Sequence, residues 1–360
     1  MQGNTDGSHS LIEMEESMKS TLAAGVLLAV VSGMMNGSFT LPMRFLGRWE
    51  WEHVWSLFIA VSCLLMPAVI VGIEAPQSWA ILAHAPAHAV MIAALAGFAW
   101  GFGALMFGQS VSAIGISLAN TLVLAISSAL GSLLPMLLLA RQQLFEPAGQ
   151  KTLAGVAIAV VGIALCGNAG QMRERAAGGK SERGDLVGKA RPLGIALLLA
   201  GGSGVLSAVF NIGFALSQPI AGYGRSHGLS AFASTNLIWW VMLAAGSLAN
   251  LGFCFYLIVK SGNVREFLAP GCMRLYLLST LMALLWCGSI FVYGAAAPRL
   301  GSLGASIGWP LSLVTGLVLA NAIGFGLGEW KRSPRSAQMW MYSGIVVLLI
   351  AIVMLSRAGD

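Results

Sequence analysis

The chain has 360 residues, of which 57% are hydrophobic and only 9% are charged. A soluble domain carries about 25% charged residues, so this composition excludes a water-exposed globule and predicts a membrane protein. The net charge of +6 does not indicate a nucleic-acid partner, because the basic residues lie in short segments between apolar runs, where they orient a membrane protein.

Ten apolar segments predict an all-α membrane protein with ten transmembrane helices. About 20 helical residues cross a bilayer core of about 30 Å. In chain order, windows of this length cover residues 21–43, 53–73, 87–109, 113–139, 151–168, 192–217, 229–259, 274–296, 301–326 and 337–356. Residues 1–20 form a polar, acidic tail without the basic start of a secretory signal, so the first span is expected to be uncleaved.

One polar stretch, residues 169–191, divides these spans into two sets of five. It carries six Lys or Arg residues and three acidic residues. Because each set contains an odd number of spans, the second set must enter the membrane from the opposite side. The sequence therefore predicts two inverted five-helix repeats, at 21–168 and 192–357. This architecture is typical of secondary transporters that bind their substrate where the halves meet.

The same aromatic and glycine pattern occurs once in each predicted half. "WGFGALMFGQSVSAIG" begins at Trp100 and "WCGSIFVYGAAAPRLG" begins at Trp286, and in both the Trp is followed by Gly eight and fifteen residues later. Trp100 lies in the third span, and Trp286 lies in the eighth, which is the third span of its half. The repetition indicates two copies of one half-site. Gly97 and Gly101 also predict a thin face on the third span that permits close helix packing.

The distribution of Lys and Arg predicts the orientation in the membrane. Six of these residues lie on the side of the chain termini, and fourteen lie on the side of the 169–191 linker. Because positively charged loops stay in the cytoplasm, we expect a cytoplasmic linker. Both termini are then on the periplasmic side of a bacterial-type inner membrane.

No carboxylate lies at the centre of a predicted span, but amides do. The interior asparagines are Asn36, Asn120, Asn211 and Asn236. An amide in hydrocarbon is costly unless it is paired, so each is expected to face protein or a water-filled cavity. Contacts between helices and contacts with a substrate are both open interpretations. Pro135 and Pro310 are candidates for helix bends.

Aromatic rings also lie deep inside the predicted spans. Trp100 and Trp286 are about 13 residues, or about 20 Å, from one end of their spans, which is deep for a membrane-interface belt. A flat ring packs on the apolar face of a sugar, while an indole N–H or phenol O–H binds its hydroxyls. We therefore predict a neutral, polyhydroxylated substrate. The predicted contacts are Trp100, Asn120, Trp286 and Tyr293, with Asn36 and Asn211 as further candidates.

Several segments resemble the L-rhamnose–proton symporters of the drug/metabolite transporter superfamily. The resemblance covers about residues 24–357 and is carried by LPMRFLGRWEWEHVWS (41–56), GISLANTL (115–122), AGQMRER (169–175), NLGFCF (250–255), LLSTLMALLWCGSIFVYG (277–294) and GLGEWKR (326–332). It implies two inverted five-helix repeats and the uptake of a deoxysugar, L-rhamnose, with a proton by alternating access. Glu52 is the candidate proton carrier, because it is the matching acid nearest the membrane interior.

Other functions stay open at this point. The same superfamily fold also exports amino acids and other metabolites, so an exporter is one alternative, and a sugar uniporter without proton coupling is another. A membrane sensor without transport is a third. No enzyme, cofactor or metal site is predicted, because the sequence contains no nucleophile–base pair or Cys–His cluster. The expected partners are the sugar, protons and membrane lipid.

Overall fold

The computed structural model describes residues 5–45, 49–176, 192–269 and 271–358, and within these residues every regular element is helical. The α-helices are α1 (Thr5–Ser38), α2 (Trp51–Ile59), α3 (Met66–Glu74), α4 (Ser78–His84), α5 (Ala87–Ile114), α6 (Ile116–Leu139), α7 (Pro147–Ala176), α8 (Leu193–Leu216), α9 (Gln218–Ser226), α10 (Ala231–Ser261), α11 (Met273–Ala296), α12 (Gly304–Gly326) and α13 (Arg335–Ser356). The prediction of an all-α protein is confirmed.

Nine helical segments of the described chain are long and apolar enough to cross a membrane. Eight of them each contain or overlap one predicted span. The remaining segment, Met273–Gly326, has 54 residues and covers both 274–296 and 301–326. Within this segment the 3-10 stretch Ala297–Leu303 lies between α11 and α12, and the backbone has a kink at Gly301, whose φ of 75° and ψ of −154° are not helical. The chain is therefore a multi-span membrane protein.

Two predicted polar segments are partly helical. The first helix begins at Thr5, inside the predicted tail, and α7 continues to Ala176, inside the predicted linker. The polar residues at the end of α7 are held by neighbouring helices, as described below, so the helix continues past its apolar run. The rest of the predicted linker, residues 177–191, lies outside the described residues.

The second span, Trp51–Glu74, contains a π-helical stretch at Ala60–Leu65 between α2 and α3. Pro67 follows this stretch closely. Proline has no N–H to donate to the carbonyl of Cys63, four residues earlier, and π-helical turns often occur where the regular ladder is interrupted. The second span therefore continues past Pro67 instead of ending there.

The repeated sequence pattern ends in the same backbone conformation in both copies. Gly115 joins α5 to α6 with φ 82° and ψ 158°. Gly301 lies between α11 and α12 with φ 75° and ψ −154°. Essentially only glycine adopts this region of φ/ψ space. The last glycine of each pattern therefore lies between consecutive long helices in a conformation that other residues avoid.

Helix packing is also repeated between the two parts of the chain. α8 packs against α5 and α6, and α1 packs in the same way against α11 and α12. Glycines allow the closest approaches. A methyl group added at Gly97 or Gly101 would overlap a backbone carbonyl of α10, and one added at Gly37 would overlap a backbone carbonyl of α12. The predicted thin face of the third span is thus its contact with α10.

Candidate functional site

The two tryptophans that begin the repeated pattern stack on each other. The ring centroids of Trp100 and Trp286 are 5.2 Å apart, and the ring planes differ by 18°. Trp286 is 9% exposed, and Trp100 is half-buried. The stack brings together one ring from each side of the 169–191 stretch, as expected if each half contributes an equivalent half-site.

Six further rings extend this stack into a continuous cluster. In the order in which the rings touch, the aromatic cluster consists of Phe58, Trp286, Trp100, Phe210, Trp239, Phe214, Tyr293 and Trp309. The centroids of consecutive rings lie 4.2–5.7 Å apart. These rings come from α2, α5, α8, α10, α11 and α12, so the cluster joins six helices. Aromatic pairs at these distances attract each other beyond their burial of area.

Asn211 is fully buried and has its hydrogen bonds satisfied by the protein. Its Nδ2 donates to the carbonyls of Gly131 at 2.8 Å and Ala305 at 3.1 Å. Its Oδ1 accepts the hydroxyl of Tyr293. The Gly131 carbonyl lacks the usual helical donor, because Pro135, four residues later, has no N–H. Asn211 therefore connects α8 to three other helices and orients the Tyr293 ring.

Pro310 has the same effect in α12. It leaves the carbonyl of Ser306 without its helical donor, and the Ser132 hydroxyl of α6 donates to that carbonyl. The indole N–H of Trp309 donates to the Ser127 hydroxyl, also in α6, at 3.1 Å. Neighbouring side chains thus replace the backbone bonds that the prolines remove, as membrane helices require.

Asn250 connects the second span to the tryptophan stack. Its Oδ1 accepts the indole N–H of Trp55 at 3.0 Å, and its Nδ2 donates to the carbonyl of Gly101 at 3.2 Å. Gly101 directly follows Trp100. Asn250 was not among the site residues predicted from the sequence, although it begins the family-like segment NLGFCF and is a further amide inside a predicted span.

Asn36 and Asn120 are not joined to the aromatic cluster by any hydrogen bond among the described residues. Both are partly buried. Asn36 lies two residues before the end of α1, and Asn120 is the fifth residue of α6. Their predicted contacts with the substrate stay predictions.

Glu52 lies in the first turn of α2 and is 8% exposed. It is six residues from Phe58, or about 9 Å of helix rise, so it is near the aromatic cluster but outside it. Its neighbour His53 is fully buried. The His53 Nε2 lies 3.0 Å from the Asn263 carbonyl oxygen, and the imidazole contacts the Phe267 ring at 4.8 Å. Glu52 thus lies in the first turn of the second span, and most of this turn is buried in the protein.

Three of the family-like segments meet where α7 and α12 end and α6 begins. Arg173 donates to Glu329 at 2.9 Å, and its guanidinium lies 4.9 Å from the Trp330 ring centroid. Glu174 accepts the backbone N–H and the hydroxyl of Ser117, at 3.1 and 2.8 Å. A carboxylate is favoured there, because Ser117 lies in the first turn of α6. These contacts join α6, α7 and the residues that follow α12, on the side of the 169–191 linker.

The family model and the relatives that match this chain indicate the same family. A family model described as L-rhamnose-proton symport protein (RhaT) matches residues 18–358. The L-rhamnose-proton symporter of Cronobacter sakazakii (strain ATCC BAA-894) is 27% identical over 341 residues, which are 93% of this chain and 97% of the relative. The symporters of the same name from Klebsiella pneumoniae subsp. pneumoniae and Salmonella paratyphi B are each 26% identical with the same coverage. Because the family model matches nearly the whole chain, the protein belongs to the L-rhamnose-proton symport protein family.

Proposed function

We propose that this protein takes up L-rhamnose together with a proton, as a secondary active transporter. The assignment of the substrate and the ion rests on the family match over residues 18–358 and on relatives named L-rhamnose-proton symporter. The family consists of symport proteins, so the chain is a transporter and not an enzyme. The Trp100–Trp286 stack supports the location of the sugar site.

The proposed architecture has ten spans in two inverted repeats, at 21–168 and 192–357. α11 and α12 have 24 and 23 residues, and each is about 35 Å long, enough to cross the membrane alone. The matching conformations of Gly115 and Gly301, and the matching packing of α1 and α8, support the repeat. The 169–191 linker is then cytoplasmic, and both termini face the periplasm of a bacterial-type inner membrane.

The sugar is proposed to bind between the faces of Trp100 and Trp286, with Tyr293 as a hydroxyl partner. Carbon atoms in contact are about 3.5–4 Å apart, so a sugar ring between the two indoles needs them to be about 7–8 Å apart. The observed separation is 5.2 Å. Sugar entry therefore requires the stack to part by about 2–3 Å. This links binding to movement of the third span of one half relative to the third span of the other.

Glu52 is proposed to carry the proton. Ionisable groups inside membrane spans usually mark coupling sites in transporters. Trp55, one turn after Glu52, is bonded to Asn250, which is bonded to the Gly101 carbonyl beside Trp100. These hydrogen bonds begin one helical turn after Glu52 and end beside Trp100, which supports coupling between the protonation of Glu52 and the opening of the tryptophan stack.

Uptake of labelled L-rhamnose into proteoliposomes tests the proposal. The wild-type protein should accumulate the sugar above equilibrium only with an inward proton gradient. Equilibration without dependence on the gradient would indicate a uniporter, and absence of L-rhamnose flux would refute the substrate.

Glu52→Gln tests the proton carrier separately. The variant should still exchange labelled for unlabelled L-rhamnose across the membrane but should lose accumulation driven by the gradient. Glu50→Gln is the matched control, because Glu50 is exposed at the start of the same helix. Normal accumulation by Glu52→Gln would place the carrier elsewhere.

A further inference from the structure

We infer that Asn236 and Trp239 of α10 bind hydroxyl groups of the sugar. This inference rests on the proposed function, because it names further contacts of the same substrate. Asn236 is fully buried, and neither its Nδ2 nor its Oδ1 has a hydrogen-bond partner among the residues that the structure describes. Trp239, three residues later, is also fully buried, and its Nε1 has no hydrogen-bond partner within the described part of the chain. Buried polar atoms in folded proteins are nearly always paired, so these exceptions need a cause.

The other fully buried asparagines show how the protein pairs an amide with groups of its own helices. Asn211 has three partners, two carbonyls and the Tyr293 hydroxyl. Asn250 also has three, the Trp55 indole N–H and two carbonyls. Asn236 is as deeply buried as these two and has no hydrogen-bond partner among the described residues. Its hydrogen-bonding capacity is therefore unused by these residues.

Trp239 belongs to the aromatic cluster, so the unpaired amide of Asn236 lies beside that cluster. Residues three apart on a helix lie on the same side, so Asn236 and Trp239 are neighbours on α10. The Trp239 ring stacks on Phe214 at 4.2 Å and lies 6.0 Å from Tyr293. Its Nε1 faces Gly294 of α11, where an added methyl group would overlap it. Gly294 is the first glycine of the repeated pattern after Trp286, and its lack of a side chain allows the Trp239 indole to pack closely against α11.

The chemistry of the pair fits a neutral polyol. An amide presents one acceptor oxygen and two N–H donors, so it pairs with two adjacent hydroxyls, and the indole N–H donates to a third oxygen. The neighbouring ring faces supply apolar contact. When the stack parts and the sugar enters, it satisfies the polar atoms that the ligand-free protein leaves unpaired.

Binding and stability measured together test this role. Asn236→Leu replaces the amide with an apolar side chain of similar size. Its dissociation constant for L-rhamnose, measured by calorimetry on purified full-length protein, should rise at least about tenfold, since a polar site loses its partners. Its ligand-free unfolding temperature should stay equal to that of the wild type or rise, because unpaired polar atoms leave the interior.

Three further variants make the result decisive. Asn211→Leu is the matched control and should lower the unfolding temperature, because that amide is fully paired. Trp239→Phe keeps a ring and removes the N–H, and should weaken L-rhamnose binding. Asn236→Ala repeats the test with a smaller side chain if Asn236→Leu does not fold.

Wild-type affinity in the Asn236 variants would overturn the inference and leave the proposed function intact. A wild-type protein that does not bind L-rhamnose would overturn both.

Discussion

Asn211→Leu should destabilise the protein, because leucine cannot form hydrogen bonds with two buried polar groups. The variant leaves the Gly131 carbonyl and the Tyr293 hydroxyl without their present partners. A buried polar group without a partner costs about 1–3 kcal/mol. The free energy of unfolding should therefore fall by about 2–6 kcal/mol.

Pro135→Ala tests the physical reason for this loss. Alanine at position 135 has an N–H that can donate to the Gly131 carbonyl within α6, which proline cannot do. In the Pro135→Ala background, Asn211→Leu should therefore cost about 1–3 kcal/mol less than in the wild type. Independent mutations would instead add within about 0.5 kcal/mol.

Denaturant unfolding of the wild type, both single variants and the double variant in detergent gives the four free energies of this cycle. A thiol-reactive dye reports unfolding, because Cys63, Cys166, Cys254 and Cys287 are buried in the folded protein. Additive costs in the double variant would refute the argument that Asn211 replaces the bond that the proline removes.

Two further predictions concern the ends of the long helices. Gly301→Ala should cost about 1–3 kcal/mol of unfolding free energy through backbone strain. Gly115→Ala should cost more, because the added methyl group also meets the Glu174 carboxylate, and equal or reversed costs in denaturant titrations would contradict this. Arg173→Ala should cost only about 1 kcal/mol, because its ion pair with Glu329 is partly exposed and such pairs are weak. A loss above about 3 kcal/mol, measured in the same titrations, would contradict that estimate.

The sequence was sufficient to predict features that depend on local composition. Long apolar runs predict where the spans lie, because a helix is the simplest way to pair the backbone N–H and C=O groups in lipid. The spacing of Gly115 after Trp100, repeated by Gly301 after Trp286, predicted two equivalent segments. Their backbone conformations agree, because both glycines make a connection that other residues avoid.

Features that depend on distant partners could not be predicted from the sequence. Asn211 and Asn236 look alike in the sequence, since both are interior amides. Their difference comes from other helices, because Pro135 leaves a carbonyl unpaired beside Asn211, whereas no group in the described part of the chain pairs with Asn236. Phe210 and Phe214 were likewise missed, because a phenylalanine in an apolar helix carries no signal until its neighbours are known.

Binding of L-rhamnose to the Trp100→Ala/Trp286→Ala double variant tests the central claim most directly, because the proposed site lies between these two rings. Trp340→Ala is the matched control, since Trp340 is 42% exposed on α13 and outside the aromatic cluster. The account predicts that the double variant folds and that its dissociation constant for L-rhamnose rises at least about tenfold, as expected for the loss of two stacking rings. The control should bind like the wild type. Wild-type affinity in the double variant would contradict the account.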